Sequence, residues 1–209
     1  MSGWIRRDFL GGATLFAIAA GIPVTAAHAM SPEPGEAPTD RQRRLLREVS
    51  DLVIPATHTK GAGELAVGDF VLIALAHGLE GTRQPLSLYA TTPGFSPFLR
   101  SDKSLRHVDW LESVLDQRAH GDFLKRPATE RSAILAALDA QAYPPGPPAA
   151  DPSPWCRIKT LILIGYYTTE TGGSQELRYE PVPGRFDPDV PVTPGTRAFS
   201  NDWTAVDFG

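Results

Sequence analysis

The chain has 209 residues, with 20 basic and 24 acidic side chains and a formal net charge of −4 at neutral pH. A chain of this length is long enough for one domain with a hydrophobic core. The acidic balance argues against a nucleic-acid partner, which binds a basic face, and it provides no polybasic attraction to anionic lipid. The single cysteine, Cys156, excludes a disulfide bond within the chain.

Residues 1–29 have the pattern of an export signal. The adjacent Arg6 and Arg7 precede an apolar run, and Ala27 and Ala29 are the small positions of an A-x-A cleavage site. Paired arginines are typical of the twin-arginine type, and the apolar run is shorter than the roughly 20 residues that a membrane span requires. We therefore expect cleavage of this segment and a periplasmic location.

The expected cleavage changes the charge of the chain and bears on its cofactor. Removal of two of the 20 basic and one of the 24 acidic side chains leaves 18 and 23, a net charge of −5. The twin-arginine route transports folded proteins, often with a cofactor in place. The exported chain therefore either holds a cofactor or travels with a partner that holds one.

The first predicted helix begins at a capping-box pattern formed by Thr39 and Gln42 and ends at Ile54-Pro55. Residues 56–64 are rich in turn-forming residues and predict a loop. Residues 65–79 are almost wholly apolar and predict a mostly buried helix.

Further helices are predicted in the second half of the chain. Apolar residues spaced at helical intervals from Leu105 onward predict a helix that closes near Gly121, and Thr129 is the expected N-cap of the next one. Residues 155–169 favour a helix, although their isoleucines and tyrosines also suit a strand. After Gly172-Gly173 the prolines exclude long regular structure.

These elements predict a mainly α fold with about five helices in one domain. The helical domain spans residues 30–180, and residues 181–209 form an irregular, proline-rich C-terminal arm.

The residues that commonly carry chemistry do not form a recognised motif in this sequence. The histidines are scattered, without the spacing that metal ligation requires, and Gly61 and Gly63 match only part of a nucleotide-binding loop outside any βαβ context. We therefore expect no catalytic, cofactor-binding or metal-ligating residue in this chain.

Two alternatives stay open at this point. A small sugar-binding enzyme would need paired carboxylates, for which Glu112 with Asp116 and Asp187 with Asp189 are available, although a solvated helix face and turn chemistry explain these pairs more simply. The second alternative is a periplasmic scaffold or carbohydrate-binding module.

Two segments resemble the gluconate 2-dehydrogenase subunit 3 family. Residues 52–70 read LVIPATHTKGAGELAVGDF, and residues 158–184 read IKTLILIGYYTTETGGSQELRYEPVPG, which is similar to the most recognisable stretch of that family. The ending at residues 200–209 resembles a subset of members. The chain departs from the family pattern at His58 and Lys60, where relatives are expected to carry aspartate and proline.

This resemblance implies a non-catalytic small subunit of a periplasmic FAD-dependent sugar or sugar-acid dehydrogenase, of the gluconate 2-dehydrogenase or glycoside 3-dehydrogenase type. It implies a large subunit of the glucose-methanol-choline oxidoreductase family that binds the FAD, and a cytochrome c that commonly takes the electrons. The small subunit would support the folding and twin-arginine export of the large one.

If the chain is such a subunit, its tyrosine- and proline-rich C-terminal part is the expected contact surface. Tyrosines supply rigid contact area, and prolines reduce the entropy lost when an extended arm binds. Cys156, near the start of a predicted helix, is a candidate for a disulfide bond with the flavoprotein, with simple burial as the alternative. A tail that wraps its own domain is the alternative for the arm. The expected interface residues are Cys156, Tyr166, Tyr167, Tyr179, Pro183 and Trp203.

Overall fold

The first helix, α1 (Asp40–Val53), begins where the sequence predicts it. The Thr39 hydroxyl accepts a hydrogen bond from the Gln42 backbone amide at 3.1 Å, and the Gln42 side chain accepts one from the Thr39 amide at 3.0 Å. These two bonds are the capping box, and they satisfy amide donors that have no partner inside the helix. The helix ends at Ile54, directly before Pro55.

The computed structural model describes residues 37–85, 89, 91–146, 153–179 and 189–200, and for residues 179, 199 and 200 the backbone only. The expected export signal, with Arg6, Arg7, Ala27 and Ala29, lies outside the described residues, as do Pro183, Trp203 and Asp187. The described residues from Thr39 onward belong to one compact unit.

The second helix, α2 (Val67–Ala76), is shorter than the predicted span of residues 65–79. Ala66 precedes it in the left-handed region with φ 57°, and Gly78 follows its cap residue with φ 78°, so the backbone leaves the helical conformation at both ends. A Cβ at Gly68 would lie 2.8 Å from the Arg47 backbone nitrogen, so glycine allows α2 to approach the backbone of α1.

Three more α-helices follow in the described residues: α3 (His107–Arg118), α4 (Ala128–Ala142) and α5 (Pro154–Tyr167). The predicted N-cap at Thr129 is wrong. Pro127 occupies that position and makes no side-chain cap, and Thr129 lies in the first turn of α4. In α5 the Ser153 hydroxyl accepts from the Trp155 amide at 3.4 Å and Pro154 takes the first helical position, which settles the helix-or-strand ambiguity in favour of the helix.

The remaining described elements are short. Short 3-10 helices cover Leu79–Gly81, Pro93–Phe98 and Phe123–Lys125, and a π-helical turn covers Thr171–Glu176. Two strands, β1 (Leu177–Tyr179) and β2 (Ala198–Ser200), pair in parallel with Leu177 opposite Ala198. The sequence predicts only irregular structure here, because three-residue strands are too short to produce a periodic pattern.

The predicted fold class is confirmed, since the described residues form a mainly α structure with five substantial helices. The core lies where α1, α2 and α5 pack together, with α3 and α4 against them. Its largest fully buried side chains are Trp155, Tyr89, Tyr166, Phe123, Leu45, Leu46, Leu105, Leu111, Leu115, Ile158, Leu161 and Ile162. Among the described residues no helix has the length and apolar character needed to cross a membrane.

An ion-pair cluster joins the start of α1 to the end of α3. Arg41 contacts Glu112, lies 2.8 Å from Asp116 and 2.9 Å from Asp122. Desolvation of Arg41 opposes its charge, but the three carboxylates outweigh it and raise the pKa of the guanidinium. The pair Glu112 and Asp116 therefore serves as a structural anchor.

Candidate interaction surface

Tyr166, near the end of α5, joins two segments that are distant in sequence. Its side chain is 1% exposed, and its hydroxyl donates to the Lys60 carbonyl at 3.2 Å and lies 3.5 Å from the Thr59 hydroxyl. Thr59 in turn donates to the Glu176 carboxylate in the π-helical turn. The loop after α1, the end of α5 and the turn after it are thereby held together. We call Thr59, Lys60, Tyr166 and Glu176 the tyrosine junction.

The sequence TTETGG, residues 168–173, forms the turn that follows α5. The Thr169 hydroxyl donates to the Tyr166 carbonyl at 2.7 Å and accepts from the Gly172 amide at 3.0 Å. A Cβ at Gly172 would lie 2.2 Å from the Tyr166 carbonyl oxygen, so no other residue fits this close approach without a backbone shift. The conspicuous pattern of this segment is explained by the geometry of the turn.

Tyr167 lies on the outside of α5, in contrast to its neighbour. Its side chain is 42% exposed and its ring meets the Tyr166 ring edge to face, with centroids 5.3 Å apart. Leu163, one turn earlier on the same face, is 38% exposed. Thr160 and Cys156 continue this face at helical spacing and are half-buried.

The opposite face of α5 packs against α2 at Gly165, where a Cβ would lie 2.6 Å from the Phe70 ring. Arg157 closes the far end of this contact by donating to the Glu80 carbonyl at 2.8 Å. On α2 itself Ile73 is 59% exposed, and Leu79 just beyond it is 43% exposed.

The exposed apolar side chains therefore concentrate on one helix pair. Of the seven large hydrophobic residues that are exposed in the described part of the chain, four belong to α2, α5 or the turn after α2. Isolated exposed hydrophobics are normal on a protein surface, and the presence of four on two adjacent helices and the turn after α2 makes this helix pair the candidate interaction surface. We call Ile73, Leu79, Leu163 and Tyr167 the α2–α5 surface.

The predicted interface residues are distributed unevenly. Tyr166 is a core residue whose area is already buried within this chain, and Tyr167 is the member of the pair that reaches solvent. Cys156 is half-buried, and its thiol donates to the Ala142 carbonyl at 3.6 Å, which turns it toward α4. Pro183, Trp203 and the side chain of Tyr179 lie outside the described residues. Leu163 and Ile73 were not predicted, because their exposure depends on how the helices pack.

A cavity of about 180 Å³ lies between α1, α4 and α5, lined in part by Leu135, Trp155 and Lys159. At its edge the Asp139 carboxylate accepts from the Trp155 indole at 2.7 Å and from the Lys159 ammonium at 2.8 Å. Partial burial opposes the charge of Asp139, but these two donors outweigh it and lower its pKa. Because the Asp139 carboxylate is occupied by these two donors, it holds α4 against α5 and offers no free group for chemistry.

The described residues contain no group of three histidine, cysteine or acidic side chains close enough to hold a metal ion. They define a small helical protein with an exposed apolar surface on two adjacent helices.

A model of the gluconate 2-dehydrogenase subunit 3 family matches residues 40–184. The chain belongs to this family, and the resemblance seen in residues 52–70 and 158–184 is confirmed, since both segments lie inside the match. Membership implies a dehydrogenase complex of several subunits. Searches of curated proteins and of solved structures each found no match.

Proposed function

We propose that this chain is the non-catalytic small subunit of a periplasmic FAD-dependent sugar or sugar-acid dehydrogenase, and that it supports the folding and twin-arginine export of the flavoprotein subunit. The observation that carries the proposal is the family match over residues 40–184, which includes the five α-helices of the described residues. The FAD and the reacting groups belong, in this proposal, to the partner of the glucose-methanol-choline type, and a cytochrome c receives the electrons.

The α2–α5 surface is the proposed contact with the flavoprotein. Exposed aromatic and aliphatic side chains on a rigid helix pair supply contact area at little entropic cost, and protein interfaces are enriched in such residues. Both helices lie inside the family match, and the tyrosine junction fixes the end of α5 that carries Tyr167. The surface can therefore be rigid before the partner arrives.

The carboxylate pair that could have supported an enzyme acting alone has a structural role. Glu112 and Asp116 both bind Arg41, so neither is a free acid or base in a cleft. Asp189 is exposed, and its predicted companion Asp187 lies outside the described residues. The alternative of a stand-alone carbohydrate-binding protein makes a distinct prediction, which is sugar binding by the isolated chain.

Replacement of Arg6-Arg7 by Lys-Lys is expected to strand both subunits in the cytoplasm, because the signal is proposed to serve the whole complex. The measurement is cell fractionation and immunoblotting after co-expression with the flavoprotein of the same operon. Replacement of Arg43-Arg44, a second arginine pair that lies in α1, by Lys-Lys is the matched control and should leave export intact. A flavoprotein that still reaches the periplasm without Arg6-Arg7 would contradict shared export.

Purification separates the subunit role from the alternatives. The complex is expected to be yellow and to reduce an artificial electron acceptor with at least one sugar from a panel, whereas the isolated chain shows neither property. A stoichiometric flavin in the isolated chain, or sugar binding by it in calorimetry, would overturn the proposal.

A further inference from the structure

His107, the first residue of α3, is a buried histidine held in its neutral form. The residue is 2% exposed, and its Nδ1 donates to the Leu105 carbonyl at 2.9 Å. Since the proton then sits on Nδ1, Nε2 carries the lone pair. Within the part of the chain that the structure describes, this buried Nε2 has no hydrogen-bond partner.

The surroundings of the ring oppose a second proton. Arg100 donates its Nη1 to the same Leu105 carbonyl oxygen at 2.6 Å, so this nitrogen lies no more than 5.5 Å from Nδ1 of His107, the sum of the two distances. Arg157 of α5 adds positive potential, and the Tyr89 ring meets the imidazole edge to face with the ring centroids 6.2 Å apart. The N-terminus of α3 contributes the positive end of its dipole.

The carboxylate of Asp102, two residues after Arg100, does not offset these charges. Asp102 interacts electrostatically with Arg100, but it is exposed. Its Oδ1 accepts hydrogen bonds from the Ser104 amide at 2.8 Å and from the Ser104 hydroxyl at 2.6 Å. Protonated His107 would therefore be a buried cation in the positive potential of two guanidinium groups, with its Nε2 proton lacking an acceptor.

Residues 91–106, which we call the strap, contact this histidine through the Leu105 carbonyl. Leu99 pairs with Leu105, and the Arg106 amide donates to the Phe98 carbonyl at 2.8 Å. Phe95 packs on the Tyr89 ring at 5.1 Å and on the Trp110 ring of α3 at 6.3 Å. The Leu105 carbonyl, which binds both Arg100 and His107, is thus a fixed point between the strap and α3.

We propose that His107 is an acid-sensitive latch, and that protonation of its Nε2 releases the strap from the N-terminal end of α3. Solvent can hydrate the imidazolium only after the strap has moved, so proton uptake and opening occur together. The rest of the helical core has no corresponding buried histidine among the described residues.

The direction of the pH effect follows from the pKa of the group. Burial, with the charges of Arg157 and Arg100, lowers the pKa of His107 from 6.5 to about 4, although the bond to Leu105 acts in the opposite sense. The open state therefore binds the proton more tightly than the closed one. The closed strap has its full stability above pH 6.5 and loses it as the pH falls from there toward 4.

The test is hydrogen exchange of the full chain, corrected for intrinsic rates. Between about pH 7 and pH 5, protection of the strap is expected to fall roughly 20-fold, while α1 and α2 keep theirs. His107→Gln should abolish this selective loss, and His77→Gln, at an exposed site, should not change it. Equal loss in the strap and in α1, or an undiminished loss in His107→Gln, would overturn the proposal.

A second measurement keeps the test independent of whether His107→Gln folds. Nuclear magnetic resonance of the imidazole groups in the unaltered chain should show that His107 resists protonation until the pH approaches 4. Ordinary titration of His107 in the folded chain would refute the latch.

Discussion

Replacing Gly172 with alanine is expected to lower the free energy of unfolding by about 2–3 kcal/mol, a large loss for a surface turn. The new Cβ would lie 2.2 Å from the Tyr166 carbonyl oxygen and 2.8 Å from its carbon. These are backbone atoms at the end of α5, which cannot rotate away as a side chain would. Because Tyr166 and Glu176 lie on either side of this turn, the tyrosine junction should be disturbed with it.

The adjacent glycine provides a matched control for that variant. A Cβ at Gly173 would meet only the Tyr167 carbonyl oxygen, at 3.1 Å, and one at Gly94 would meet nothing within 4 Å. Urea unfolding of the three alanine variants should therefore give a much lower free energy of unfolding for Gly172→Ala than for the other two. Equal stability of Gly172→Ala and Gly173→Ala would show that the turn tolerates a side chain.

Replacing Tyr167 with alanine is expected to weaken binding of the flavoprotein by about 2 kcal/mol, roughly 30-fold in Kd. Tyr167 is 42% exposed and belongs to the proposed contact, so loss of its ring removes interface area at a modest cost to the fold. Leu163→Lys should have a similar effect, since it places a charge on the same face of α5. The measurement is affinity of the purified subunits, with circular dichroism to verify the helices.

Tyr143 is the control for this prediction. It is 49% exposed, at the end of α4, and its ring lies 4.8 Å from the Lys159 ammonium, outside the α2–α5 surface. Tyr143→Ala should leave the affinity nearly unchanged. If Tyr143→Ala weakens binding while Tyr167→Ala does not, the contact lies near the start of α5, where α5 meets α4, and the proposed surface is wrong.

Local signals in the sequence predict most of the helices. The capping box at Thr39 and the Ile54-Pro55 stop are short-range features, and α1 has the predicted bounds. The Thr129 cap failed because a threonine near a helix start is only one of several residues that can occupy the cap, and here Pro127 sets the entry. The extent of α2 was overestimated because an apolar run continues beyond the point where Ala66 and Gly78 leave the helical region.

The interaction surface was less accessible to prediction. Tyr166 and Tyr167 are identical in type and adjacent, yet one is buried and the other exposed, because successive helical residues point about 100° apart. Which of the two faces the core depends on where the loop carrying Thr59 and Lys60 lies. The pairing of β1 with β2 likewise joins residues far apart in the chain.

The sequence by itself determined the helical class, the capping box of α1 and the family, since each depends on short patterns of residue type that hold wherever the segment lies. Only the tertiary structure decided that the TTETGG segment is a turn closed on Tyr166, that Glu112 and Asp116 bind Arg41, and that His107 is buried within the influence of two arginines. These features depend on contacts between residues many positions apart. Such contacts form when apolar faces are buried together, and a local pattern does not specify which faces will meet.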